Sequence, residues 1–573
     1  MLSALGTFTI GDAMFDEVEQ VILREMERSR LPGLAVALVK DEEIVWSKGY
    51  GLADLEAGLP VTPGVVFPVW SVTKPVVATA IMQWHERGAF ALDDPVNVHM
   101  GAVKLQNEWE QQTPVTIRHL LTHSSGLPVA LAYPLGSSFS SLEEYVGAVA
   151  RTVRPAGEEV IYADWGYAVL GHLVGRFAGC PYEEYIHENV LDPLGMRSSA
   201  LTLAPAGASL AAGYYVSGAD GKRYRSDFRP DAGAPGPAGS LYSTAEDLAR
   251  FLIAHLNGGV RDGKRILRKE TADEMKRVQA PTGPAWRGMG LGFMVDEVGG
   301  RRLFWHAGNG PAGSTFICGS CEENVGVVLL INLANAETAR SAIVHSALHA
   351  LAADGRDTPV GTSQDAWRLP PAECERLTGR YISNLWARAE LRADEGILTL
   401  RTHPGGTIDP VEGVSYLERI GEGRFRVHDG GFGGWELTFE FDADGTANSF
   451  VGGVYPFLFR RSGDVPPAAT LDADLAGRWA GIVSSPMGPV PVTLDIMDAE
   501  RGSVTALSAQ RAQLQDFSAR NGHLSGYFEV AVGDLGDWTV FLRLASIGGE
   551  LQGRAYARSG LAEMPMDVEL SRE

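Results

Sequence analysis

Basic residues are in deficit in this chain, with 49 Lys and Arg against 71 Asp and Glu, a formal net charge of −22. Binding to phosphate backbones or anionic bilayers needs clustered Lys and Arg, so nucleic acid and membrane surfaces are excluded as expected partners. Long apolar runs are also missing. Nowhere do 18 uncharged apolar residues follow one another, and no transmembrane helix is expected. The opening stretch Met1–Ile10 has neither a basic n-region nor a sustained apolar run, so no signal peptide is visible. The cytoplasm is the default expectation, with the periplasm left open. Cysteine is scarce: Cys180, Cys318, Cys321 and Cys374 are the four in 573 residues. Cys318-Gly-Ser-Cys321 has the spacing of a redox pair or half a zinc site, but no second pair follows it. Structural or incidental thiols are the simpler reading, because free cysteines pack as small apolar groups.

What is present is ordinary globular composition, 45% hydrophobic and 21% charged, long enough for about three domains. Residues 11–30 carry apolar side chains at helical spacing, and Pro32-Gly33 ends that helix. Two strand-like runs, Leu34–Val39 and Ile44–Tyr50, are joined by a polar turn. Further strands are expected at Leu303–His306, Thr315–Ile317 and Val325–Ile331, then a helix over about Ala336–Ala353. Strands from both ends of this segment would share one sheet in an α+β domain spanning 1–360. Residues 355–372 read as a Pro-rich linker. Beyond it, short alternating segments with Gly/Asp turns predict all-β structure. Leu377-Thr-Gly-Arg-Tyr381 recurs as Leu475-Ala-Gly-Arg-Trp479, so two antiparallel β-barrels are expected, at 373–463 and 472–573.

The strongest chemical signal is Ser71-Val-Thr-Lys74, between an extended stretch and the apolar helical run from Val76 that ends near Gly88. Residues i and i+3 share a helix face, so the Lys74 ammonium can meet the Ser71 hydroxyl. A helix N-terminus favours negative charge on an attacking oxygen, and a desolvated Lys loses pKa and becomes a base. By itself the pattern also fits a Ser cap and a surface Lys.

The chain resembles the serine β-lactamase and penicillin-recognising superfamily, especially its class C-like branch with D-stereospecific aminopeptidases, amidases and esterases. The match is carried in order by Gly33–Leu38, Ser71-Val-Thr-Lys74, Ile117-Arg-His-Leu-Leu-Thr-His-Ser-Ser-Gly-Leu127 and Tyr162-Ala-Asp-Trp-Gly. It continues through Leu191-Asp-Pro-Leu-Gly-Met196, Ala238-Gly-Ser-Leu-Tyr and His306-Ala-Gly308. The resemblance implies a β-lactamase-like fold with Ser71 as nucleophile and Lys74 and Tyr162 as its proton-transfer partners. It places Asp164 where the family has Asn, and an amide donor there becomes an acceptor. Asp164 would either hold Lys74 charged or bind a substrate amine. His306-Ala-Gly308 stands where penicillin-recognising enzymes have Lys-Thr-Gly; Gly308 allows close approach, and the Asn309 amide would join that of Ser71 as the oxyanion hole. His306 need carry no charge near neutrality, which weakens the case for a carboxylate-bearing penicillin.

Other candidates are weaker. His119 and His123 are expected to pack or hydrogen-bond near the end of their helix, and His345/His349 lack a zinc signature. Gly405-Gly406 and Gly430–Gly434 read as turns, the latter also as a lid over the cleft. No cofactor or metal is implied. The expected partner is a small-molecule or short-peptide substrate, with a homodimer left open. The function implied is acyl-enzyme hydrolysis of amides or short peptides, D-residues included. An esterase is the alternative, and a β-lactamase or a non-catalytic binding protein is a more distant rival.

Overall fold

The computed structural model describes residues 10–572 apart from loop segments, chiefly 128–138, 202–206, 217–221, 227–235, 283–286, 353–367, 384–387, 404–412, 429–435, 453–456, 462–474 and 532–536, with several shorter turns. The helix Ile10–Arg28 leads into the strand Gly33–Lys40, which turns through Asp41 and Glu42, both at positive φ, into the strand Glu43–Asp54. Gly33–Lys40 is buried on both faces and lies mid-sheet. It pairs antiparallel with Glu43–Asp54 on one side and with Val325–Ile331 on the other, Leu34 opposite Ile331 and Lys40 opposite Val325. The nine-stranded sheet continues through Gly313–Ser320, Arg301–Gly310 and Met294–Val298 to short edge strands. The expected union of strands from both ends of the segment is therefore present.

Period two along the central strand separates two cores. Ala35, Ala37 and Val39 face a helical layer that includes Thr73–Glu86, Asp164–Ala178 and Ala245–Leu256. Leu34, Val36 and Leu38 face the other way, onto Phe15, Val18 and Ile22 of the first helix and Ile343, Ala347 and Leu351 of the helix Glu337–Ala352. The site lies where the helical layer meets the strand Arg301–Gly310.

The Pro-rich stretch is not linker throughout. Pro370-Pro371 opens a short helix, Pro371–Leu377, because a proline in the first turn lacks only an N–H that has no helical partner there. Eight strands between Gly379 and Arg461 then form a closed antiparallel barrel, with Gly379–Ser383 pairing Phe457–Arg461 to complete it. A nine-stranded antiparallel sheet follows from Gly477 to Arg572. Its two edge strands, Gln510–Gln513 and Gln515–Arg520, are consecutive in sequence, so the sheet curls almost onto itself. Among the described residues no helix is long and apolar enough to cross a membrane.

Candidate active site

Ser71 occupies the middle of a 3₁₀ turn, Trp70–Val72, that feeds directly into the helix Thr73–Glu86. Lys74 is one turn on and fully buried. Its Nζ has three oxygen neighbours: Ser71 Oγ at 2.9 Å, the Ala238 carbonyl at 2.9 Å and Asp164 Oδ1 at 2.7 Å. As an ammonium it donates to all three. As a neutral amine it donates to the carbonyl and carboxylate and accepts the Ser71 proton, so the same contacts serve both protonation states. Burial lowers the Lys74 pKa below its ordinary value, and the Asp164 charge and hydrogen bond pull it back up.

Tyr162 is buried beside this group, with Lys74 Nζ 4.7 Å from its ring centroid. Two residues later Asp164 starts the helix Asp164–Ala178, so one short segment supplies both the ring and the carboxylate. Behind Tyr162 lies His123, whose imidazole stacks on the phenol ring at 4.2 Å between centroids and 26° between planes. His123 Nδ1 accepts from the Ala163 amide at 3.0 Å, which places the proton on Nε2. The third motif comes from the strand Arg301–Gly310. His306 is buried 6.1 Å from Tyr162, centroid to centroid, and donates Nδ1–H to the Ala307 carbonyl at 2.7 Å. Burial, with the Lys74 charge second, depresses its pKa to about 3. The same two causes, burial first, hold His123 well below the ordinary value. Both imidazoles are thus neutral at physiological pH.

Gly308 is pressed against the nucleophile's backbone: a Cβ there would stand 2.2 Å from the Val69 carbonyl oxygen and 3.2 Å from the Ser71 nitrogen. No side chain fits. The next side chain, Asn309, accepts from Ser314 Oγ at 3.0 Å and from buried Arg340 Nη1 at 2.7 Å. Ser71, Lys74, Tyr162, Asp164, His306 and Gly308 are therefore gathered at one place, and Asn309 follows them on the strand.

Three participants in this cluster were not singled out in the sequence: Arg340, the Ala238 carbonyl and Trp70, whose φ is +52°. The motif stretches containing Ala238 and Ser71 pointed to two of these places, whereas nothing local marked Arg340. His123 is packed and hydrogen-bonded as expected, but against Tyr162. His119 caps the helix Ile117–Leu121, its Nδ1 accepting from the Thr116 amide. His345 and His349 lie on the helix Glu337–Ala352, His345 bonded to the Ser341 carbonyl. All four cysteines are free, and burial pushes the Cys318 thiol up to about 12. Gly405, Gly406 and the suggested lid at Gly430–Gly434 lie outside the described residues. No metal-binding cluster occurs among the described residues.

The sequence profile of the beta-lactamase family matches residues 18–351, more than half of the chain. The chain belongs to the beta-lactamase family. Family membership makes the Ser71–Lys74 pair part of a serine hydrolase fold. Among characterised relatives, esterase EstB of Burkholderia gladioli is 31% identical over 336 residues, covering 52% of this chain and 82% of EstB. A penicillin-binding protein homologue from Pyrococcus abyssi, described as octameric, superposes with a TM-score of 0.53 at 25% identity, over 77% of this chain and 99% of its own. The D-amino acid amidase of Ochrobactrum anthropi SV3 shares the fold, with a TM-score of 0.51 at 24% identity over 59% of this chain and 98% of the amidase.

Proposed function

We propose that this chain hydrolyses amide bonds of small molecules or short peptides, D-residues included, through an acyl-enzyme on Ser71. The observation that carries the reading is the buried Lys74 amine 2.9 Å from Ser71 Oγ, its pKa lowered by desolvation. Ser71 Oγ attacks the substrate carbonyl as its proton passes to Lys74 or Tyr162, and the amides of Ser71 and Asn309 bear the oxyanion. Tyr162 protonates the leaving amine, the C–N bond breaks, and water then cleaves the acyl-enzyme. The partly exposed carboxylate of Asp164, 26% accessible, supports recognition of a substrate's cationic amine. Neutral His306 supplies no cation for a penicillin-type carboxylate.

A second reading, carboxylester hydrolysis on the same machinery, is favoured by the likeness to EstB. The test is a panel of D- and L-aminoacyl p-nitroanilides, short D-peptides, p-nitrophenyl acetate and butyrate, and a chromogenic cephalosporin, run with wild type and Ser71→Ala. Ser71-dependent anilide turnover is expected; turnover of the esters alone transfers the assignment to the esterase. Asp164→Asn is expected to slow free-amine substrates about tenfold or more relative to their N-acylated forms, the loss expected for one charged contact. Equal effects on both would remove the amine-binding role.

A further inference from the structure

The backbone at residue 70 is in an unusual conformation for its side chain. Trp70 holds φ at +52°, in the left-handed region that bulky L-residues avoid and glycine adopts freely. The residue is 5% exposed, and its indole lies against Gly310 with Nε1 near Gly313. A Cβ at Gly310 would fall 2.3 Å from Trp70 Cδ2 and 2.4 Å from Cε3, and one at Gly313 would be 3.3 Å from Nε1. These glycines flank the turn between the strands Arg301–Gly310 and Gly313–Ser320, the hairpin that carries Gly308 and Asn309.

The backbone before Trp70 is tied to that hairpin, and the carbonyl of Trp70 itself to the helix that follows. The Val69 carbonyl accepts from Thr315 Oγ1 at 2.9 Å, and the Trp70 carbonyl accepts from Thr73 Oγ1 at 2.6 Å. Gly308 abuts Ser71 N across the gap. An extended or helical φ at residue 70 would aim the Cα–Cβ bond elsewhere and lift the ring from the glycines. We propose that Trp70 is a positioning residue: its indole, wedged on Gly310 and Gly313, sets the separation of the Ser71 and Asn309 amides that form the oxyanion hole. This inference rests on Ser71 being the nucleophile. The left-handed φ is then the conformation that seats the wedge, a local strain kept at a functional site.

The experiment is the second-order rate of Ser71 labelling by a fluorophosphonate, whose phosphoryl oxygen occupies the oxyanion position, measured on protein shown folded by circular dichroism. Trp70→Ala removes the ring and keeps the strain, whereas Trp70→Gly removes both. Each is expected to slow labelling about tenfold or more, since small misplacements of reacting groups cost that much. Trp70→Phe, which keeps a flat ring, is expected to recover to within about threefold of wild type on the same scale. Gly310→Ala drives a methyl into the indole and is expected to slow labelling about tenfold alone, yet less than about twofold in the Trp70→Ala background, where the space is vacant. A Trp70→Gly rate within about twofold of wild type, or an equal Gly310→Ala cost in both backgrounds, overturns the proposal. Should the smaller side chains prevent folding, Gly310→Ala alone decides, and a wild-type rate overturns it. Labelling that persists in Ser71→Ala instead overturns the nucleophile assignment, a separate and recognisable failure.

Discussion

In the closed barrel, Tyr381 donates its hydroxyl to the Leu377 carbonyl at 2.8 Å, and in the sheet that follows Trp479 donates its indole N–H to the Leu475 carbonyl at 3.0 Å. Both elements place a positive-φ glycine two residues before the aromatic ring, Gly379 and Gly477. In both, an arginine from the last strand, Arg461 or Arg572, reaches back to the carbonyl of residue 378 or 476. The two openings are built alike, but what they bury differs. Tyr381 belongs to an apolar cluster that runs on through Leu377 and Leu369 to Leu303, Trp305 and Leu351 of the hydrolase sheet and its helix. Trp479 belongs to a cluster that, among the described residues, is made of residues from 475 onward. A repeated sequence thus specifies a repeated local structure, while coupling to the rest of the molecule depends on which neighbour covers the apolar surface.

Truncation is expected to separate the two most sharply. A chain ending at residue 463 should keep its main calorimetric transition within a few degrees and retain fluorophosphonate labelling of Ser71, because the cluster it loses is self-contained. A chain ending at residue 360 should lose cooperative unfolding or aggregate, because the shared cluster is laid open. Equal tolerance of both cuts would break the comparison. Single substitutions sharpen it. Tyr381→Ala and Trp479→Ala each remove a buried ring, at a cost of about 3–5 kcal/mol. Calorimetry should place the first loss in the transition that contains Ser71 and the second in the other.

A graded effect is expected in acid. Burial holds His123, His255 and His306 neutral, with His255 and His306 at about 3. In the unfolded chain such groups protonate near 6.5. Between those values the unfolded state binds more protons, so stability falls as pH drops from about 6.5 toward 3. The hydrolase transition should therefore descend across that window, by about 1.4 kcal/mol per pH unit for each of His255 and His306, with His123 acting in the same direction. His255→Gln, outside the site, should flatten the slope. A second-sheet transition that descends in parallel would argue that the two regions share one core after all.

The main sheet was legible because its strands are nearly continuous apolar runs, as in Val325–Ile331, bounded by turn residues. The Ser71–Lys74 pair was legible because i and i+3 on a helix meet whatever else the chain does. The Asp164–Lys74 contact was half legible: the departure from Asn was visible, and the structure adds the 2.7 Å pair with Lys74. The remaining contacts depend on tertiary encounters that leave no local pattern. Lys74 meets Ala238 across 164 residues, His123 meets Ala163 across 40, and Arg340 meets Asn309 across 31. The φ of Trp70 was equally hidden, since tryptophan has no propensity for that region. Proline misled once, at Pro370-Pro371, where a breaker at the first turn of a helix resembles a breaker in a linker.

The central position of the strand Gly33–Lys40 bears on how the chain is made. The Gly33 amide bonds to Asn332 Oδ1, 299 residues later. At cellular elongation rates of about 5–20 residues per second, that strand waits roughly 15–60 s for its second neighbour to leave the ribosome. Throughout that interval Gly33–Lys40 has one edge without its strand partner, an invitation to off-pathway strand pairing. The hydrolase sheet can thus close only after Ile331 has emerged, while the barrel and the second sheet are still being made, and its yield in a host should track chaperone supply and translation speed as well as its final stability.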